Sequence, residues 1–280
     1  MGNQTETPGL DLGARPLTGS TAVDITSGID LAEISDGDLE RLKRLASQWC
    51  VVVLRNQKQP PSQLSGLGAR IGTVSYTPGL IQNTDWPNVY KLVNYGKKRA
   101  ITEKWHTDGA FSERPAAYSV LMADTLPLAG GDTIFVNQYA AYDALSPAFR
   151  KLLQGLHAEH VWKGVAHLRD GEPDPMAIHP LVRTHPLTGR RALYINVLSA
   201  MGNIVGMDEA ESRALLTFLH DHSIAIDRTY RHRWLPGDVL LWDNRCSLHA
   251  AAHDFGDEER IMYRIVTEGE RPYDEPYGDA

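Results

Sequence analysis

Apolar residues along this chain recur in two periods. Ser35-Asp36-Gly37-Asp38 precedes Leu39, Leu42, Leu45 and Trp49, a three-to-four spacing behind a capping serine that predicts an amphipathic helix. Val51-Val52-Val53-Leu54 follows at once, a β-branched run that reads as a buried strand stopped by Asn56 and Pro60-Pro61. A second helix is predicted near Ser62–Ile71. Short strand patterns follow at Val89–Val93, Tyr118–Ala123, Thr133–Val136, Ala158–Trp162 and Ala192–Val197. Ala140–Leu153 reads as helical with a break at Ser146-Pro147. Asp208 caps a helix carrying Leu215, Leu216 and Leu219, and Arg228–Arg233, Asp238–Trp242 and Arg260–Val266 are strand-like.

Many short strands without regular βαβ alternation predict a mostly β chain with flanking helices (α+β), an antiparallel sandwich or barrel. No linker divides it, so the whole of 1–280 is expected to be one domain, with 1–12 as a flexible polar tail. Hydrophobic residues make up 42%, enough for a sizeable core. With 28 basic and 35 acidic residues the net charge is −7, which argues against nucleic-acid or anionic-membrane partners. The start of the chain lacks a basic and apolar leader, so a soluble cytoplasmic protein is expected. Eleven histidines stand against two cysteines, Cys50 and Cys246, so any metal site should use nitrogen and oxygen.

Trp105-His106-Thr107-Asp108 offers one such pair. On a strand, His106 and Asp108 would point to the same face and present a nitrogen and an oxygen to one ion. Two histidines and a carboxylate form the facial triad of non-heme Fe(II) oxygenases. By spacing alone this pair is a weak signal that a turn with a satisfied histidine explains better, and His157-Ala158-Glu159 is a rival of the same form. In Arg260–Val266, strand alternation puts Arg260, Met262 and Arg264 on one face and Ile261, Tyr263 and Ile265 on the other. The arginine face is either solvated or lines a cavity that takes up carboxylates, which guanidinium binds bidentately.

Five pieces in order, Trp105-His106-Thr107-Asp108, Gly130-Gly131-Asp132-Thr133, His185-Pro186 through Tyr194-Ile195-Asn196, Trp242-Asp243-Asn244-Arg245 and Arg260-Ile261-Met262-Tyr263-Arg264, resemble the TauD/TfdA family of Fe(II)- and 2-oxoglutarate-dependent dioxygenases. The resemblance runs from about Val51 to about Pro272. It implies a double-stranded β-helix, a cupin-like jelly roll, with Fe(II) on His106, Asp108 and His249. It implies 2-oxoglutarate as cosubstrate with O2, its distal carboxylate gripped by Arg260 with a hydroxyl from Thr133. Arg264 falls where relatives hold a substrate's acid group, and His157-x-Glu159 loses any metal role.

Hydroxylation of a small organic acid or specialised metabolite, with release of succinate and CO2, is the implied reaction. Desaturation, epoxidation and ring formation stay open, and a zinc or manganese jelly-roll hydrolase or isomerase is the reading of another class. Halogenation is disfavoured, because related halogenases replace the Asp108 carboxylate with a small residue. The loop Ile71–Pro78 lacks the histidine that taurine-oxidising relatives use, so taurine itself is not expected. Asn94, Tyr95, Phe111 and Ser75 are candidate pocket residues, while Lys97-Lys98-Arg99 reads as an exposed loop. An anionic small-molecule substrate is expected if Arg264 faces the cavity unpaired; a neutral or larger scaffold is expected if a carboxylate neutralises it. A homo-oligomer, dimer or tetramer, is compatible with all of this.

Overall fold

The computed structural model describes residues 11–75, 85–94, 103–163 and 171–274. The first half carries β1 (Ala14–Pro16), β2 (Ala22–Ile25), α1 (Asp36–Trp49), β3 (Val51–Leu54), α2 (Gln63–Ile71), β4 (Tyr90–Asn94), β5 (Ala116–Thr125) and β6 (Thr133–Asn137). Next come α3 (Gln138–Asp143), α4 (Pro147–Leu153), β7 (His157–Val161), β8 (Met176–Pro180), β9 (Val182–Thr184), β10 (Arg191–Leu193) and β11 (Met201–Ile204). The chain finishes with α5 (Glu209–Ser223), β12 (Thr229–His232), β13 (Val239–Asp243), β14 (Ser247–Ala251) and β15 (Arg260–Glu268). No helix among the described residues is long and apolar enough to cross a membrane.

The helix starts follow their capping chemistry. Ser35 accepts the Asp38 N–H, and Asp208 and Glu211 form a reciprocal capping box at α5. The helical stretch predicted over Ala140–Leu153 is split at Ser146, whose side chain caps α4 ahead of Pro147.

The sheets roll around one interior. Seven strands order as β1-β2-β3-β13-β5-β15-β4, and three-stranded sheets β12-β6-β14 and β11-β7-β8 are separate from them. Among the described residues, all strand pairings are antiparallel except β2 with β3. The unbroken apolar run of β3 is explained by burial on both faces. Val52 and Leu54 pack with α1 and α2 through Leu42, Leu45 and Leu64, whereas Val51 and Val53 turn inward with Leu240, Trp242 and Phe135. Burying such a side chain contributes about 1.5–3 kcal/mol relative to exposure. These features are those of a jelly roll, mostly β with flanking helices.

Strand β15 decides where the site is. Tyr263 and Ile265 join the cluster under α1 and α2, and Met262 joins the inner one. Arg260 and Arg264 therefore share the inner face with Met262, at 4% and 7% exposure. The arginine face is interior, not solvated.

Two sequence expectations shift. The strand expected over Ala192–Val197 stops at Leu193, and beyond it Asn196 accepts the N–H of Val197 on its own side-chain oxygen at 2.7 Å, a local bond that competes with strand pairing. The extended segment expected around His106 and Asp108 is an isolated bridge followed by a turn.

Candidate active site

His106 and His249 are joined backbone to backbone. The His106 N–H donates to His249 O at 2.9 Å and the His249 N–H donates to His106 O at 2.8 Å. β14 carries His249, while Asp108 lies in the turn closed by Gly109 at φ +66°. The turn brings the Asp108 carboxylate between the rings: His106 Nε2 is 4.0 Å from Oδ1 and His249 Nε2 is 3.9 Å from Oδ2. One ligand atom from each of the three residues lies within 4.8 Å of the others.

Protonation suits a cation. His106 Nδ1 lies 2.7 Å from the carbonyl oxygen of Lys104, which only accepts, so Nδ1 carries the proton and Nε2 keeps its lone pair. Burial pushes both imidazoles down and keeps them neutral. Burial pushes the Asp108 carboxyl up, but the Arg264 guanidinium, with the imidazoles and the Ser119 hydroxyl, holds it well below the usual carboxylate range. Two neutral imidazole lone pairs and one carboxylate thus converge in a buried space. That donor set fits Fe(II) with positions left open. A second convergence, His185, Asp243 and Cys246, does not fit a metal. Both Asp243 oxygens are filled by donors from Ser47, His185 and Arg245.

Arg260 projects from β15 into the same interior. Its Nε donates to Gly131 O at 2.9 Å, and no carboxylate among the described residues lies within ion-pair distance. Burial pushes the guanidinium down to about 10, with Asp132 opposing in part. The double glycine builds its seat. Gly130 and Gly131 have φ of +81° and +71°, and a Cβ on Gly131 would stand 3.0 Å from Arg260 Cδ. Thr133 Oγ accepts the Trp234 indole N–H at 3.0 Å, and its own proton has no acceptor among the described residues. Gly131→Ala is therefore expected to displace the Arg260 side chain and add about 1–2 kcal/mol of backbone strain. A 2-oxoglutarate titration checks this as weakened binding; unchanged affinity would mean that the turn does not seat Arg260.

The remaining candidates spread around this centre. Arg264 Nη1 donates to Asp108 Oδ1 at 3.0 Å, and its buried Nε has no partner among the described residues. Phe111 stacks on Trp162 with ring centroids 4.7 Å apart, so the wall residue anticipated from sequence comes with an aromatic partner that was not. Ser75 lends its carbonyl to the Tyr90 hydroxyl at 3.2 Å, and Tyr90 pairs with Arg264 across β4 and β15. The backbone of Asn94 pairs with Arg260. Tyr95 and the Lys97-Lys98-Arg99 run lie outside the described residues. His157 and Glu159 make their contacts elsewhere: His157 Nδ1 meets Gly155 O, and Glu159 accepts the N–H of Asn203 in the neighbouring β11.

Ser119 and Asn244 are the residues that sequence reading did not assign. Ser119 donates to Asp108 Oδ2 at 2.7 Å, and Asn244 donates to Ser119 at 2.9 Å. Asn244 stood inside a quoted motif, but nothing around Ser119 in the chain signals its contact.

Comparison with known proteins agrees with this geometry. Residues 13–266 match the model of the family described as "Taurine catabolism dioxygenase TauD, TfdA family". An alpha-ketoglutarate-dependent 2,4-dichlorophenoxyacetate dioxygenase of Cupriavidus pinatubonensis is 32% identical over 268 residues, 85% of this chain and 92% of that protein. An alpha-ketoglutarate-dependent sulfate ester dioxygenase of Pseudomonas putida is 29% identical over 94% of this chain and 91% of its own length. Among solved structures, a taurine dioxygenase from Burkholderia xenovorans superposes with a TM-score of 0.80 at 32% identity, covering 92% of this chain and 91% of that one. A complex of AAD-2 with Mn(II) and N-oxalylglycine gives a TM-score of 0.77 at 26% identity, covering 94% and 99%. With the match spanning nearly the whole chain, this protein belongs to the TauD/TfdA family and is a 2-oxoglutarate-dependent non-heme iron dioxygenase that uses Fe(II), 2-oxoglutarate and O2.

Proposed function

We propose that this enzyme hydroxylates a C–H bond of a small organic anion, with iron held by His106, Asp108 and His249 and the distal carboxylate of 2-oxoglutarate held by Arg260 and Thr133. The observation that carries the reading is Arg260, a buried cation whose one protein partner among the described residues is the carbonyl of Gly131. A buried charge needs a counterion, and a dicarboxylate cosubstrate supplies one.

Charge also points to the substrate class. Around the centre stand one ionised carboxylate, two guanidiniums and, in the loaded enzyme, a divalent cation. The balance is three positive charges, of which dianionic 2-oxoglutarate offsets two. The Asp108–Arg264 pair meets the condition under which a neutral or larger scaffold is expected from sequence, but Asp108 neutralises Arg264 only while its charge is not committed to the metal, so in the loaded enzyme Arg264 regains a demand for an anion. An acid is therefore favoured over a neutral scaffold. It accords with relatives named for phenoxyacetate and sulfate ester oxidation.

The bound iron supplies dioxygen activation coupled to oxidative decarboxylation of 2-oxoglutarate. The chain supplies placement. Arg260 fixes the distal end of the cosubstrate, and Arg264 turns the substrate's acid group. No side-chain base is needed, and none is assigned.

Succinate release is expected to require both Fe(II) and 2-oxoglutarate and to track oxidation of sulfonates, sulfate esters or phenoxyacetates. Neutral amide analogues of the same compounds should be poor substrates; turnover of the amides alone would sink the anion reading. Asp108→Ala is expected to reduce coupled oxidation to background. Retained turnover in that variant would remove Asp108 from the metal.

A further inference from the structure

The Asp108 carboxylate is aimed by a directional relay that starts at a tryptophan. The Trp242 indole Nε1–H donates to Asn244 Oδ1 at 3.0 Å. An indole nitrogen can only donate, so the Asn244 amide must present its oxygen to Trp242 and its NH2 to the other side. There the amide donates to Ser119 Oγ at 2.9 Å. Ser119 has one proton, and with Oγ already accepting from Asn244 that proton goes to Asp108 Oδ2, 2.7 Å away. The direction of every bond follows from the first donor.

The same amide also ties down the loop of Asp108. Asn244 Oδ1 accepts the Asp108 backbone N–H at 3.3 Å, and Asn244 O accepts the Thr107 hydroxyl at 2.9 Å. Ser119 and Asn244 are 0% and 1% exposed, so neither bond is exchanged for water. Each comes from a different strand region: Ser119 from β5, and Asn244 from the end of β13, registered by the pairing of Trp242 with Ser119. Of the two Asp108 oxygens, Oδ2 takes the Ser119 proton and Oδ1 faces Arg264. The rotation of the carboxylate is thereby pinned.

We propose that Ser119, oriented by Asn244 and Trp242, is a positioning residue that sets the Asp108 carboxylate for metal binding. The inference rests on the assignment of the metal to His106, Asp108 and His249. Partners that orient a metal ligand through hydrogen bonds typically change metal affinity or activity by about 10- to 100-fold when removed.

The test is titration of Co(II), a visible-absorbing stand-in for Fe(II), into the metal-free full-length protein. Ser119→Ala is expected to bind Co(II) about 10- to 100-fold more weakly than wild type. Its Co(II) absorption bands should shift. Affinity and bands equal to wild type would overturn the proposal. Trp242→Phe keeps an aromatic ring but removes the N–H, leaving the Asp108 backbone N–H at 3.3 Å as the remaining donor that holds the Asn244 amide oxygen in place. It should weaken Co(II) binding in the same direction, and if Ser119→Ala does not fold, unchanged affinity in Trp242→Phe overturns the relay. Asp108→Ala separates the two layers: Co(II) affinity equal to wild type in that variant would remove the underlying metal assignment, not the relay alone.

Discussion

Arg260→Ala is expected to weaken 2-oxoglutarate binding on the order of 30- to 4,000-fold. The range follows from removing one partner of a buried, hydrogen-bonded charge pair, which costs about 2–5 kcal/mol, at about 1.4 kcal/mol per factor of ten. The mechanism is specific to this site. Arg260 lies at 4% exposure and makes one bond, to Gly131 O, among the described residues, so most of its hydrogen-bonding capacity awaits a ligand. The ligand-free protein should respond with the opposite sign. Burial already pushes this guanidinium down to about 10, a sign that its charge is unfavourably placed without a counterion. Its removal should leave the unfolding midpoint of the ligand-free protein unchanged or raised. Titration of 2-oxoglutarate into metal-loaded protein reads the first effect, and thermal unfolding without ligand reads the second. Unchanged affinity would refute the clasp.

Asp243→Asn is expected to destabilise the fold by about 3–5 kcal/mol, the usual cost of removing one partner of a buried ion pair. Oδ1 of Asp243 accepts the backbone N–H and Nε–H of Arg245 at 2.9 and 2.8 Å. Oδ2 accepts from Ser47 (2.8 Å), His185 Nε2 (3.0 Å) and Arg245 Nη2 (2.6 Å). An asparagine would turn an NH2 toward donors on one side and leave Arg245 with Glu270, 3.5 Å away, as its carboxylate partner. His185 is neutral here. Burial pushes its imidazole down, Nε2 donates to Asp243, and Nδ1 accepts the Leu187 N–H.

The pH dependence follows from the same carboxylate. Burial pushes the Asp243 carboxyl up, but Arg245 and His185 outweigh that and hold it far below the usual carboxylate range. A folded-state value below the unfolded one gives stability that is complete above the ordinary aspartate range near pH 4 and declines progressively below it as pH falls toward the folded-state value. Denaturant unfolding from neutral to acid pH should show that decline in wild type and a shallower one in Asp243→Asn. Equal stability of the two proteins at neutral pH would mean that Glu270 suffices for Arg245.

Much of the architecture was readable along the chain because local physics and burial agree there. Ser35, Ser146 and Asp208 mark helix starts because a side-chain oxygen beside unpaired N–H groups is a local event. The β15 alternation predicted two faces, and the interior holds the arginine one. Strand β14 was not foreseen. Ser247–Ala251 has little intrinsic strand preference, and it is extended because it pairs with β6. Strands β1 and β2 were likewise hidden next to the polar tail, since β2 gains its place by parallel pairing with β3.

For the site, the sequence determined which donors exist: His106, Asp108, His249, two arginines and a Gly-Gly turn, all legible as residue types and order. Tertiary structure decided how they meet. A bridge between residues 106 and 249 and a turn at Asp108 replaced the strand face that spacing alone suggested. The pairing of Arg264 with Asp108 and the relay from Trp242 to Ser119 arise from strands far apart in the chain. Hydrogen-bond direction and charge pairing depend on atoms within about 3 Å, and periodicity in a sequence carries no information on which distant atoms come that close.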